Sequence, residues 1–401
     1  MRIVIAPDGF KGCLTAREVC DTLESGLREV LPQAEIVKVP LADGGDGTAA
    51  VLVGATEGRF VTERVSGPLG TPVRARYGLL GDAQTAVIEM ATASGLVLIP
   101  PGRRNPLLTS TYGTGQLVQA ALDLGCREFL MGVGGSATND AGAGLAQALG
   151  VRFLEATGRV VSRVNGRSLI RIAHLDVSKL DVRLGDSRFR VACDVQNPLY
   201  GPEGAAYVYG PQKGATPEMV AELDAGLRHF AALLEKELGQ AVAALPGAGA
   251  AGGLGAGLAA FCNATLEPGA QVIMKVVRLR EKAAGADLLL TGEGRLDHQT
   301  GFGKTPYEVA QLGRELGVPV AAVAGAVECT PAELAAWGLV AAWASSEGTA
   351  SLEEAMDPPV ARERLRRVGR KVGEALAAGL LATPEPFYTA QGGRCAWKLA
   401  C

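Results

Sequence analysis

The sequence predicts an α/β protein of two domains with parallel sheets. Three observations carry this: strand and helix patterns alternate at both ends of the chain, short strands without helices occupy residues 60–80, and 401 residues exceed what one compact core usually holds. Residues 1–60 and 285–383 are therefore expected to form one domain, discontinuous in sequence, with residues 61–284 inserted into it and 384–401 left as a tail. Such a chain is expected to carry a ligand cleft.

The elements follow in order from local chemistry. Arg2–Ala6 alternates toward a buried strand, and Thr15 with Glu18 forms a capping box ahead of a helix whose apolar face is Val19, Leu23, Leu27 and Val30. Pro32 ends that helix, and Ile36–Val39 is the next strand. Between Phe60 and Leu80 short strands flank a turn at Pro68-Leu69-Gly70. Alternation resumes with a helix at Gln116–Leu124 and a strand at Phe129–Val133, and a long helix runs from Pro217 to Leu238. The glycine-rich run Pro246–Gly257 reads by composition as a linker. The ending is regular: strand Leu288–Thr291, helix Pro306–Leu316, strand Val318–Ala322, helix Pro331–Trp337, strand Leu339–Trp343. Thr330, Pro331 and Glu333 give the last of these helices its start. Arg362–Lys371, with Leu365 and Val368 at helical spacing, reads as the solvated face of a terminal helix.

Hydrophobic residues make up 48% of the chain and charged residues 20%, so ordinary buried cores are expected throughout. The formal charge is -3 with no long basic run, which argues against nucleic acid as a partner. Eight cysteines are scattered without the close pairs of zinc or dithiol sites, and no apolar run reaches the ~20 residues of a membrane helix. A reduced, cytoplasmic protein is the expectation, and a homo-oligomer is compatible with it.

Ligands of open parallel sheets bind at the carboxyl ends of strands, and five loops stand out there. Asp8 and Lys11 lie in a glycine-flanked loop after the first strand, beside a helix N-terminus. Asp43 and Asp46 lie among glycines after the second; capping alone accounts for Asp46. Gly134, Gly135, Ser136, Thr138 and Asn139 form a glycine, hydroxyl and amide loop suited to phosphate oxygens. That loop also fits the loose dinucleotide pattern with Glu155 downstream, so a dehydrogenase has to be weighed. Asp194 follows a strand and leads toward Lys213. Glu293, Arg295 and Asp297 precede a Gly-Lys-Thr triplet that is not a Walker loop, because His298 stands where glycine is needed. His174, His229 and His298 form no catalytic pair.

In order, the strings APDGFKG (Ala6–Gly12), PLADGGDGT (Pro40–Thr48), GVGGSATNDAGAG (Gly132–Gly144), ACDVQNPLYG (Ala192–Gly201), GPQKGA (Gly210–Ala215), PGAGAAGGLG (Pro246–Gly255) and TGEGRLDHQT followed by GKTP (Thr291–Pro306) resemble the type-1 glycerate kinase family. The resemblance covers Met1 to about Leu380. It implies transfer of a phosphoryl group from ATP, with Mg2+, to D-glycerate, with 2-phosphoglycerate as the expected product. It also implies that the discontinuous domain is flavodoxin-like. Gly9 stands where the family commonly has serine, and Asp46 where glutamate is usual. The tail from Pro384, with Cys395 and Cys401, has no counterpart in the pattern and is expected to be disordered.

Phosphoryl transfer asks a protein mainly to position reactants and neutralise charge. On that basis Lys11 and Arg295 are assigned to anionic groups of substrate or transferred phosphoryl, and Asp8 and Asp43 to substrate hydroxyls. Gly134, Gly135, Ser136, Thr138 and Lys213 are assigned to nucleotide phosphates, Glu293 and Asp297 to Mg2+, and Asp194 to the base. An NAD-dependent hydroxy-acid dehydrogenase and a non-catalytic carboxylate-binding protein are the alternatives.

Overall fold

The computed structural model describes residues 1–45, 47–346 and 351–381. Asp46 and the C-terminal tail, with Cys395 and Cys401, lie outside the described residues. The chain divides into two compact units, one of Met1–Asp43 with the described residues from Ala270 onward, the other Gly44–Gly269.

The first unit is built on a five-stranded parallel sheet. From edge to edge its strands are Leu339–Ala344, Val320–Val327, Leu288–Leu296, Arg2–Ile5 and Glu35–Lys38. Ile3 lies opposite both Leu288 and Ile36, which puts the N-terminal strand inside the sheet and explains its continuous apolar run. Helix Ala16–Arg28 starts at the Thr15/Glu18 capping box and buries Val19, Cys20, Leu23 and Leu27. Helix Pro358–Ala377 packs along it. A Cβ on Gly26 would come 2.0 Å from the Arg366 carbonyl oxygen, so only glycine permits this approach.

The arginine-rich helix is amphipathic as read: Arg362, Arg367, Arg370 and Lys371 are exposed, while Leu365, Val368 and Val372 are buried in the core of this unit, each contributing ~1.5–3 kcal/mol. Its charges form solvent-exposed ion pairs with the neighbouring helix, Arg362 with Glu18 at 2.7 Å and Arg366 with Glu29.

The second unit carries a six-stranded mixed sheet. Thr265–Glu267, Arg188–Ala192, Glu128–Gly132 and Thr85–Glu89 are parallel neighbours, and Pro72–Leu79 and Arg59–Ser66 continue it antiparallel. A hairpin at the Pro68-Leu69-Gly70 turn can only pair antiparallel, so parallel pairing is confined to the strands reached by crossovers. Helix Thr48–Ala55 packs on Pro72–Leu79 and Thr85–Glu89 and so belongs with this sheet, although the strand and helix rhythm of the first sixty residues runs straight through it. Helix Pro217–Leu238 has Thr216 as N-cap, proline in its first turn and Gly239 in the left-handed conformation after it.

The linker reading of Pro246–Gly257 is overturned. Residues Ala250–Cys262 form a buried helical segment, with a kink at Ala251, Gly252 and Gly253, all at positive φ. A Cβ on Gly252 would stand 2.0 Å from the Thr138 carbonyl oxygen, and one on Gly257 2.4 Å from that of Ala141. These glycines are small because another backbone lies against them. No described helix is long and apolar enough to cross a membrane.

Candidate active site

In the first unit the strand ends assemble a charged cluster. The chain leaving Arg2–Ile5 runs on beside Leu288–Leu296, with the Asp8 N–H donating to the Gly292 carbonyl at 2.8 Å. Asp8 is buried, and its carboxylate accepts the Gly9 N–H at 2.6 Å. Lys11 donates to Asp43 at 2.6 Å. Glu293 accepts the Thr300 hydroxyl at 2.6 Å, and the Lys304 ammonium stands 3.8 Å from Glu293 and 3.9 Å from Asp297.

Burial and like charge set the protonation of this cluster. Loss of water, with Asp43 and Glu293 nearby, pushes the Asp8 carboxyl up to about 7, against the opposing Gly9 N–H and Lys11. Burial likewise raises Glu293, with Asp297 and Asp43 adding to it and Thr300 and Lys304 opposing. Burial alone would lower Lys11, but the Asp43 carboxylate outweighs it and holds the ammonium above its ordinary value.

The cluster gathers Asp8, Lys11, Asp43, Glu293 and Asp297. Arg295 is exposed, and its ion partner is Glu328 at 3.8 Å, outside the cluster. Asp297 also has a structural task as N-cap of His298–Phe302, accepting the Gln299 N–H at 2.9 Å. Lys304, the lysine of the Gly-Lys-Thr triplet in the same candidate loop, was given no role by sequence reasoning and joins the cluster.

The second unit presents the glycine-rich loop after strand Glu128–Gly132. Gly135 has φ 68° and is exposed, and Gly134 and Ser136 are half-buried. Thr138 and Lys213 lie beneath them, buried, with the Lys213 ammonium donating to the Thr138 carbonyl at 2.7 Å. The loop is pinned from several directions. Thr109 donates to the Ala137 carbonyl at 2.8 Å, the Ala137 N–H to Ser94 at 2.9 Å and the Leu96 N–H to Gly135 at 2.9 Å. Asp140, fully buried, accepts the Thr111 N–H at 2.7 Å, the Thr111 hydroxyl at 2.9 Å and the N–H groups of Gly142 and Gly144 at 3.2 Å. Burial raises its carboxyl, opposed by those four donors. Sequence reasoning missed Thr109 and Thr111, and gave Asp140, which closes the candidate loop, no role. The signal for the first two was the polar triplet Thr109-Ser110-Thr111 at the start of a helix, where such residues read as caps.

Asp194 follows strand Arg188–Ala192, and one of its oxygens accepts the Gly269 N–H at 2.8 Å. Glu155 is tied to Arg159 at 2.9 Å in a separate antiparallel pair, Arg152–Glu155 with Ile172–Asp176. The helix after the glycine-rich loop therefore does not lead into the parallel strand that a dinucleotide fold needs. His174 contacts Glu237 and His229 the Ile172 carbonyl, so neither is a catalytic partner of the other.

Among the described residues no three His, Cys, Asp or Glu side chains are placed to hold a metal. Mg2+ usually takes only one or two carboxylates, completing its shell with water and substrate phosphates. Glu293 and Asp297 fit that requirement, since burial and the neighbouring Asp297 and Asp43 raise Glu293 and a divalent cation would offset both.

A family model described as the glycerate kinase family matches residues 3–377. The chain is 51% identical to a glycerate kinase of Halalkalibacterium halodurans over 88% of this chain and 93% of that one. It is 43% identical to glycerate 2-kinase of Escherichia coli K12 over 95% and 99%. A crystal structure from Salmonella typhimurium LT2, provisionally described as glycerate kinase 2, superposes with a TM-score of 0.86 at 47% identity, covering 95% of this chain and 99% of that one. The chain is thus an enzyme of the phosphotransferase class with an α/β fold. It belongs to the glycerate kinase family and phosphorylates D-glycerate with ATP. This displaces both the dehydrogenase and the non-catalytic binding protein.

Proposed function

We propose that the chain is a type-1 glycerate kinase that forms 2-phosphoglycerate and ADP, binding glycerate on the first unit and the nucleotide on the second. The observation that carries this reading is the cluster of Asp8, Lys11 and Asp43, a cation held among carboxylates that can accept hydroxyls. Lys11 takes the substrate carboxylate or the transferred phosphoryl group, and Asp8 and Asp43 take the glycerate hydroxyls; Arg295, paired with Glu328 outside the cluster, is left without that role. Gly134, Gly135 and Ser136 meet the phosphates, with Thr138 and Lys213 supporting that loop. Glu293 and Asp297 hold Mg2+, which supplies charge neutralisation on the phosphate oxygens. Asp194 accepts the hydroxyl proton as the oxygen–phosphorus bond forms and ADP leaves.

The 2-position is supported by the name of the Escherichia coli relative. A flavodoxin-like reading of the first unit is supported by its strand order, second, first, third, fourth, fifth along that unit. A cytoplasmic setting is supported by the free thiols at Cys13, Cys20, Cys126, Cys193 and Cys262. The test is proton-coupled 31P NMR of the product made from D-glycerate, ATP and Mg2+. Attachment at carbon 2 gives a phosphorus doublet from one neighbouring proton. A triplet would place the phosphate on carbon 3 and overturn the regiochemistry, and ADP release without glycerate would overturn the coupled reaction.

A further inference from the structure

We propose that Lys213 is a positioning residue rather than a phosphate contact, gripping the glycine-rich loop from beneath and taking up a proton when the nucleotide phosphates arrive. The inference rests on the reading of that loop as the nucleotide site and goes beyond it.

Three observations lead here. Lys213 is 2% exposed, so its ammonium does not reach the surface where Gly135 is displayed. It donates to the carbonyl of Thr138, two residues past Ser136, and so fixes the backbone whose N–H groups and hydroxyls face a ligand. Around it, polar atoms are left over: the Thr138 hydroxyl and both amide atoms of Asn139 are buried without partners. Buried polar groups are normally paired, and orphaned ones cluster where a ligand or a change of state completes them.

The charge balance favours a change of state. The charged group acting on Lys213 is Asp140 of the loop, itself shared with Arg163 from the Val161–Asn165 segment. Asp140 already accepts four hydrogen bonds, which spreads its charge. Burial outweighs its attraction and pushes the Lys213 ammonium down to about 7. Above neutrality the loop therefore rests on a largely uncharged amine. A polyphosphate on the outer face brings several negative charges and raises the proton affinity of the amine beneath. The proton comes from solvent, and the resulting ammonium strengthens both the grip on the Thr138 carbonyl and the attraction for the phosphates.

The experiment is calorimetric titration of the full chain at pH 8 with Mg2+ and a non-hydrolysable ATP analogue, in two buffers of different ionisation enthalpy. Wild type should take up roughly half a proton or more per nucleotide. Lys213→Met should take up none beyond the ligand's own, with a dissociation constant for the analogue about tenfold weaker and that for D-glycerate unchanged. Lys213→Arg, permanently charged, should recover affinity but not proton uptake. Zero uptake by wild type overturns the inference without recourse to any variant. Gly135→Val separates it from the reading beneath it. If that substitution leaves analogue binding intact, the loop is not the nucleotide site. If it abolishes binding while Lys213→Met binds normally, the loop assignment stands and the role of Lys213 falls.

Discussion

The two units handle polar groups in opposite ways. The first crowds Asp8, Lys11, Asp43, Glu293, Asp297 and Lys304 together at the strand ends, where its charges remain partly open to solvent and two carboxyls, Asp8 and Glu293, are pushed upward by burial and by neighbouring carboxylates. The second keeps its loop nearly neutral outside and places the ionisable groups, Asp140 and Lys213, completely underneath. A cluster of open charges suits a small hydroxy-acid that must be oriented and relieved of a proton. A braced loop of backbone donors suits phosphates, which need many weak, fixed contacts rather than one strong one.

This contrast gives a graded set of expectations. Lys11→Met removes the cation that offsets three carboxyl groups and should lower kcat/KM for glycerate by ~10³-fold, the upper range for losing one preorganised electrostatic contact. Steady-state kinetics at saturating ATP reads this out, and a loss under tenfold would move Lys11 out of the site. Asp194→Asn keeps an acceptor for the Gly269 N–H, so the fold should hold while kcat falls ~10²-fold. Normal turnover there would remove Asp194 as the base, and rescue by raised Mg2+ would reassign it to the metal.

Asp8 predicts a pH dependence of stability. Its native carboxyl keeps a proton up to about 7, whereas the unfolded one releases it near 3.8. In that window the native state binds more protons, so this group's contribution declines as pH rises through it. Asp8→Asn should therefore flatten the decline and raise stability at pH 8 by roughly 4 kcal/mol, with little change at pH 3. Thermal melts at the two pH values check it, and equal shifts at both would contradict it. The smallest effect is expected at Glu155, which is engaged by Arg159 away from the loop: Glu155→Gln should leave nucleotide affinity within about twofold, a difference inside typical surface-substitution effects.

Local chemistry was readable in the sequence. The capping boxes at Thr15/Glu18 and Thr330/Glu333 and the limits of helix Pro217–Leu238 depend on residues three or four apart, and all appear in the structure. What escaped was contact across the chain. Pro246–Gly257 has a linker's composition, yet its glycines are there to admit Thr138 and Ala141, more than a hundred residues earlier. The strands after residue 60 showed their turn but not that they extend a parallel sheet antiparallel. At the site, Asp8, Asp43, Glu293 and Asp297 were legible as carboxylates ringed by glycine. The separation of Arg295 from them, the capping duty of Asp297 and the burial of Lys213 were not, because a sequence does not state which strand face or depth a side chain occupies.

Division of labour between the units is tested most directly by equilibrium binding. Dissociation constants for D-glycerate and for a non-hydrolysable ATP analogue with Mg2+ should be measured on wild type, Lys11→Met and Gly135→Val. The account predicts a crossed pattern: Lys11→Met weakens glycerate and spares the analogue, and Gly135→Val weakens the analogue and spares glycerate. Loss of the same ligand in both variants, or of glycerate alone in Gly135→Val, would contradict it.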